Sequence, residues 1–90
     1  MQFEFDEKKS EINKQKHGID FIEAQKLWEY PNKKIFPAKC IDEIRFVLHS
    51  YLNNKCWSAI FTIRNSKIRI ISVRRCRKNE EKLLNESQRP

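Results

Sequence analysis

Between residues 44 and 73, apolar and polar positions alternate with a period of two, a pattern typical of half-buried β-strands. The alternation is interrupted twice by short polar pairs, Asn53–Asn54 and Asn65–Ser66, which have the composition of tight turns. The pattern therefore predicts an antiparallel meander of three strands. These strands are expected over residues 44–51, 57–63 and 68–73.

The first third of the chain has a different pattern, with the signals that begin and end helices. Asp6 is a suitable N-cap, and Gly18, the only glycine, is placed to end the helix that Asp6 begins. Asp20 and Glu23 have the spacing of a capping box, and apolar residues then follow the helical period until Pro31. We therefore expect two N-terminal helices packed on one face of the antiparallel sheet.

Three shorter segments complete the predicted α+β fold. Phe3 and Phe5 alternate with polar residues, which predicts a short strand or an extended segment at the N-terminus. Residues 31–41 are interrupted by prolines, so we expect a loop there with room for a short edge strand. The apolar pair Leu83–Leu84, after two glutamates, predicts a short C-terminal helix. Residues 1–90 are expected to form a single domain.

Composition narrows the class of protein. A chain of 90 residues with 39% hydrophobic and 11% aromatic residues can form the core of one small domain, which excludes a disordered chain. The first six residues carry two acids and no base, unlike a signal peptide, so we expect a soluble, cytoplasmic protein. The three cysteines lack metal-ligand spacing and are odd in number, so we expect reduced thiols and no metal site.

The net charge of +7 is distributed unevenly along the chain. Residues 1–32 carry five basic and seven acidic side chains, whereas residues 33–90 carry fourteen basic and five acidic ones. The densest part runs from Arg64 to Lys78, with five arginines, two lysines and no acid. Because arginine binds phosphates and carboxylates through two parallel hydrogen bonds, this segment predicts a nucleic acid or an acidic protein as the partner.

Two blocks of the sequence resemble the BrnT family of bacterial toxins. The first block comprises Phe3, Phe5, Asp6, Lys9, Asn13, Lys16, His17, Gly18, Ile19, Phe21 and Ala24. The second comprises Ile68, Arg69, Ile70, Ile71, Ser72, Arg74, Arg75 and Glu80. The resemblance covers residues 2–81 and implies a RelE-like fold and a ribonuclease activity that arrests growth. It also implies a cognate BrnA-like antitoxin that neutralises the toxin and carries the DNA-binding domain.

RNA cleavage without a metal ion needs a proton acceptor for the ribose 2′-hydroxyl, cations for the developing negative charge and a proton donor for the leaving oxygen. The arginine-rich segment contains no acid, which favours this mechanism over one with two metal ions, and no cofactor is expected. We predict that Arg64, Arg69 and Arg74 bind the phosphate and that His17 transfers the proton. Further contacts with RNA are expected from Lys16, Arg45, Arg75, Arg77 and Lys78.

Several of these residues also have a purely structural interpretation. A histidine in the last helical turn, such as His17, stabilises the helix dipole without any catalytic role. His49 stands on a strand where BrnT members commonly have glycine, and we expect it to be structural. Glu80 is expected to form an ion pair with Arg77, and Trp57 to belong to the core.

Two other functions are compatible with the same residues. The main alternative is a non-catalytic module that binds RNA or an acidic protein through the strip from Arg64 to Lys78. A DNA-binding repressor is less favoured, because the strip spans predicted strands and no helix-turn-helix pattern is present. DNA is therefore expected to be contacted only through the antitoxin complex, and no membrane partner is expected.

Overall fold

A five-stranded β-sheet forms the centre of the fold, in a computed structural model that describes residues 1–39 and 41–86. The strands are β1 (Phe3–Glu4), β2 (Lys34–Ala38), β3 (Arg45–Leu52), β4 (Lys55–Arg64) and β5 (Lys67–Arg75). The helices are α1 (Glu7–His17), a 3-10 helix (Glu23–Glu29) and α2 (Lys78–Glu86). The strand order is β1-β5-β4-β3-β2, in which β1 runs parallel to β5 and every other pair is antiparallel.

The three-stranded meander is confirmed and is slightly longer than predicted. Both predicted turns are two-residue hairpin loops, Asn53–Asn54 and Asn65–Ser66, and all four residues have φ between 51° and 64°. Two consecutive residues with positive φ match the right-handed twist of the flanking strands, and asparagine adopts this region more readily than most residues. Local turn chemistry therefore sets the register of each hairpin next to its turn.

The sheet differs from the prediction at both edges, since it is mixed rather than antiparallel. Phe3 and Glu4 pair in parallel with Ile68 and Arg69, more than sixty positions along the chain. The segment predicted mainly as a loop forms β2, which pairs along its whole length with β3. Pro37 lies in β2, which is compatible with its position at the edge of the sheet.

The second predicted helix is present, but it is a 3-10 helix rather than an α-helix. The capping-box hydrogen bonds form as expected: the Glu23 amide donates to Asp20 Oδ1 at 2.7 Å, and the Asp20 amide donates to Glu23 Oε1 at 3.1 Å. The segment is only seven residues long and ends just before Pro31. Short helical segments of this kind often adopt the tighter 3-10 geometry. Leu27 and Trp28 from this helix pack into the core.

Helix α1 lies along the edge of β5 and packs through polar groups. It begins at Asp6, whose side chain accepts hydrogen bonds from two backbone amides, and ends at Gly18 with φ of 81°. The Asn13 amide group donates to the Val73 carbonyl at 2.8 Å and accepts from the Val73 N–H at 3.1 Å. Asn13 thus takes the place of a neighbouring strand where β1 has already ended.

The core fills the space between one sheet face and the N-terminal segments. Leu48, Ala59 and Val73, which are neighbours across three strands, are fully buried on this core face. Helix α2 lies on the opposite face, where the Tyr51 hydroxyl donates to Glu81 at 2.9 Å and Leu84 is buried.

The expectation of reduced thiols is wrong for two of the three cysteines. Cys56 on β4 and Cys76 just after β5 form a disulfide, with 5.3 Å between their Cα atoms. The Cys76 amide also donates to the Cys56 carbonyl at 3.0 Å, so the strand register brings the two residues together. An odd number of cysteines does not prevent such a pair. Cys40, the third, lies outside the described residues.

Candidate nucleic-acid interface

The register of β4 and β5 places the three predicted catalytic arginines on one face of the sheet. The cross-strand pairs are Arg64 with Lys67, Thr62 with Arg69, and Ser58 with Arg74. Even spacing along β4 places the side chains of Ser58, Thr62 and Arg64 on the same face. A residue paired across the strands lies on the same face as its partner, so Arg69 and Arg74 lie there too. This arginine face, which bears Arg64, Arg69 and Arg74, lies opposite the core.

A β-bulge is needed for this arrangement. Arg69 and Arg74 are five residues apart, and in a regular strand an odd separation places two side chains on opposite faces. The register between β4 and β5 shifts by one residue next to Ile60, which leaves Ile71 as the extra residue of β5. The bulge therefore returns Arg74 to the same face as Arg69.

Carboxylates orient the arginines at one end of this face. Arg69 donates to Glu4 at 2.9 Å, which links the short strand β1 to the arginine face. Glu43 accepts from Arg45 at 2.9 Å and lies 3.9 Å from Arg64, whose side chain is 53% exposed. Ion pairs of this exposure contribute about 0–1 kcal/mol, so an RNA phosphate can compete for these guanidinium groups at low energetic cost.

At the other end, Arg74 forms a bidentate ion pair with Glu80 at the start of α2. The two guanidinium nitrogens of Arg74 donate to the two carboxylate oxygens of Glu80 at 2.8 and 2.9 Å. The Arg77 backbone amide adds a third hydrogen bond to Glu80 at 2.7 Å. The Arg74 hydrogen bonds are the main reason that the pKa of Glu80 falls from 4.5 to about 2. The predicted ion pair of Glu80 with Arg77 is thus replaced by one with Arg74.

His49 and Ser58 extend this ion pair into the sheet. His49 Nδ1 lies 2.7 Å from Ser58 Oγ, and Ser58 Oγ lies 3.3 Å from Glu80 Oε1. His49 is buried, and this burial lowers its pKa, while Glu80 opposes the shift and Arg74 reinforces it. The net shift favours the neutral imidazole beside the charged pair. The alternation of β3 and β4 places both residues on this face, but their link through Glu80 depends on where α2 packs.

The other predicted site residues are not grouped around the Arg74 side chain. His17 is exposed at the end of α1, and its neighbours Gly18 and Ile19 line a cavity with Trp57, a core-face residue. Arg75 pairs with Trp57 across the strands, and its guanidinium carbon lies 5.5 Å from the centre of that ring. The arginine strip is therefore divided between the two faces of the sheet. Lys16, Arg77 and Lys78 are exposed, at the end of α1 and around the start of α2.

Two cavities differ in their relation to the arginine face. One of about 430 Å³ lies against α1, and its lining includes Glu7, Glu11 and Asp20, which makes it unsuited to RNA. One of about 360 Å³ lies where β3 begins and β4 ends, and Arg64 is part of its lining. Within residues 1–39 and 41–86, no three His, Cys, Asp or Glu side chains are grouped so as to hold a metal ion. In the same part of the chain, every helix is too short or too polar to cross a membrane.

Comparison with known proteins identifies the family. The family model for the ribonuclease toxin BrnT of type II toxin-antitoxin systems matches residues 5–80. The chain belongs to the BrnT family. No protein with a curated description matches the sequence. BrnT proteins are ribonuclease toxins, so their substrate is RNA and their partner is an antitoxin. The resemblance stated from the two sequence blocks is thereby confirmed, and the arginine face is the candidate RNA-binding surface of this BrnT protein.

Proposed function

We propose that this BrnT protein is a cytoplasmic endoribonuclease that cleaves RNA without a metal ion, inhibits translation and arrests growth. A BrnA-like antitoxin neutralises it and provides the only contact with DNA, and the fold is of the RelE-like type. The observation that carries this proposal is the arginine face, three arginines aligned by a β-bulge in a chain that belongs to a ribonuclease family.

Arg64, Arg69 and Arg74 bind the RNA backbone and stabilise the negative charge that develops on the phosphorus oxygens. The ribose 2′-oxygen attacks the adjacent phosphorus, the bond from phosphorus to the 5′-oxygen breaks, and a proton passes from the 2′-hydroxyl to a base while the leaving oxygen gains one. Guanidinium groups fixed in advance by Glu4, Glu43 and Glu80 need little reorganisation to serve this charge. Lys16, Arg45, Arg75, Arg77 and Lys78 provide further contacts with the backbone.

Proton transfer is assigned to His17, whose imidazole is exposed at the C-terminal end of α1 and accessible to RNA. Because His17 does not lie near Arg74, its assignment depends most on the result of the His17→Ala variant. Metal independence is supported by the carboxylates near the arginines. Carboxylates are common ligands of catalytic metal ions. Here Glu4, Glu43 and Glu80 each contact a guanidinium group instead, so an arginine already neutralises each of them.

Growth arrest by single variants tests this function. Expression of the wild type from a tightly controlled promoter should stop growth, and Arg69→Ala or Arg74→Ala should lower the RNA cleavage rate about a hundredfold, the usual effect of removing a preorganised charge stabiliser. His17→Ala should flatten the pH dependence of cleavage near neutrality with the fold intact. Lys26→Ala, an exposed cation on the 3-10 helix, is the matched control and should leave cleavage unchanged.

Growth curves at equal protein levels, with cleavage of extracted RNA, are the readout. Unchanged arrest by both the His17 and the Arg74 variants would remove this site assignment. The non-catalytic RNA- or acidic-protein-binding module would then be the better account of the basic strip.

A further inference from the structure

One end of the core face is left uncovered by the helices. Ile44, just before β3, is 75% exposed, and Ile63, near the end of β4, is 54% exposed. Ile35 on the edge strand β2 is 47% exposed and shares the same sheet face, since it pairs with the core residue Leu48. Ile35 lies nearer the middle of β3, whereas Ile44 and Ile63 line one cavity at the same end of this face. Isolated exposed isoleucines are common, but two side by side form an apolar surface that water hydrates unfavourably.

This surface is concave at its centre. Ile44, Ile63 and the half-buried ring of Phe46 line the cavity of about 360 Å³ at the start of β3 and the end of β4. The rest of the lining is polar, with Thr62, Glu43 and Arg64. We call this cavity the isoleucine end of the sheet. An apolar floor with a few charged groups at the rim is the usual composition of a site for a protein partner.

We propose that the isoleucine end is the docking surface for the neutralising antitoxin, which binds it through an amphipathic segment with apolar side chains on one side and carboxylates on the other. This inference rests on the proposed function, because it names the surface by which the toxin is neutralised. The family membership already requires a protein partner for this chain.

Charge at the rim determines the chemistry of the partner. Arg45 and Arg64 flank the isoleucine end, and the two guanidinium groups share one carboxylate, Glu43. Residues 33–90 as a whole carry fourteen basic and five acidic side chains. An acidic segment therefore complements the rim and associates faster because of it, whereas a second copy of this basic chain would be repelled.

The edge of the sheet favours packing on its face over addition of a strand. β2 is the edge strand, and it includes Pro37, which has no backbone N–H to donate to an added strand. Lys33 and Lys34 at its beginning also discourage pairing with another strand. The partner segment is therefore expected to lie across Ile44 and Ile63, rather than along β2.

Docking here would neutralise the toxin by covering Arg64. Arg64 lines the cavity and also belongs to the arginine face. Apolar contact with the isoleucines would also keep the complex together at salt concentrations that screen a purely electrostatic contact with the arginines. The RNA-binding face and the neutralising contact thus meet at one residue.

The test uses substitutions that place a charge in the apolar floor. Ile44→Asp, Ile63→Asp and the double variant should remain toxic when expressed alone, because neither residue belongs to the RNA-binding or catalytic set. Their affinity for the purified BrnA-like antitoxin, measured by isothermal titration calorimetry, should fall about a hundredfold, as for a residue central to an interface. Co-expressed antitoxin should no longer rescue growth. Ile22→Asp is the matched control, since Ile22 is 66% exposed but lies beside α1.

Each outcome decides between defined possibilities. If the double variant binds the antitoxin with unchanged affinity, the docking proposal is overturned and the proposed function stands. If the wild type neither arrests growth nor cleaves RNA, the proposed function is overturned instead. Sedimentation of the wild type alone should give a monomer, and a dimer dissolved by Ile63→Asp would assign the surface to a second copy. Circular dichroism checks that each variant is folded. If an aspartate variant does not fold, the serine variants Ile44→Ser and Ile63→Ser take its place in the same titration.

Discussion

Glu80 connects the chemistry of the arginine face with the stability of the fold. Its carboxylate accepts two hydrogen bonds from Arg74 and one from the Arg77 backbone, and it lies within hydrogen-bond distance of Ser58. The same carboxylate therefore orients the arginine proposed to stabilise the transition state and fixes the first turn of α2 against the sheet. A phosphate group that displaces Glu80 from Arg74 breaks the two hydrogen bonds between these side chains.

Replacement of this carboxylate should alter the dependence of stability on pH. The pKa of Glu80 is near 4.5 in the unfolded chain and about 2 in the folded protein, so its stabilising effect is complete above pH 4.5 and is lost as the pH falls towards 2. At pH 7 the effect is no more than about 3 kcal/mol. Glu80→Gln should therefore lower the free energy of unfolding at pH 7, and the difference from the wild type should shrink at pH 3.

Urea denaturation at both pH values measures this effect. Glu81→Gln is the matched control, because the neighbouring carboxylate accepts a hydrogen bond from Tyr51 rather than from an arginine. A difference between wild type and Glu80→Gln that is the same at pH 3 and pH 7 would contradict the low pKa.

Residues with local roles were the ones that could be predicted from the sequence. Asp6, Gly18 and the Asp20–Glu23 pair act within a few positions of themselves, so their spacing alone identifies the helix ends. The link between Glu80 and Arg74 depends instead on where α2 packs, and only the shorter-range pair with Arg77 could be foreseen. Asn13 gave no signal in the pattern, although it closes the open edge of β5.

At the scale of elements, sequence reasoning anticipated short strands near both edges but missed the parallel pairing of β1, the full pairing of β2 with β3, and the disulfide. A parallel pair between β1 and β5 depends on a contact between the two ends of the chain, which no local pattern encodes. The β-bulge near Ile71 likewise follows from the register of two strands, yet it decides which face Arg74 occupies. Alternation alone would have placed Arg74 on the face opposite Arg69, whereas the bulge places both on one face.

The Cys56–Cys76 disulfide should contribute measurably to stability, because it closes a loop between residues 20 positions apart that joins β4 to the start of α2. A loop of this size predicts a stabilisation of about 3 kcal/mol. A phosphine reductant should lower the thermal midpoint of the wild type and leave that of Cys56→Ser unchanged. Protein purified and denatured without reductant should have one reactive thiol, and three reactive thiols would contradict the bond.

At the scale of the whole molecule, different helices pack against different parts of the sheet. Helix α2 lies on the arginine face, the 3-10 helix packs into the core on the opposite face, and α1 lies along the edge of β5. The two largest cavities described above are open to solvent, and under the proposed function RNA binds to a shallow surface formed by arginines. Salt should weaken such binding steeply, because each bound phosphate releases condensed counterions.

Cleavage of end-labelled RNA by excess purified protein in the presence of EDTA tests the central claim most directly. With the protein in excess, all RNA is bound, so the measured rate constant reports the chemical step and not affinity. The proposed mechanism predicts fragments with 2′,3′-cyclic phosphate ends, formed at a rate that EDTA does not change. RNA that is bound by the protein but stays intact, or that is cleaved only when a divalent metal ion is restored, would contradict it.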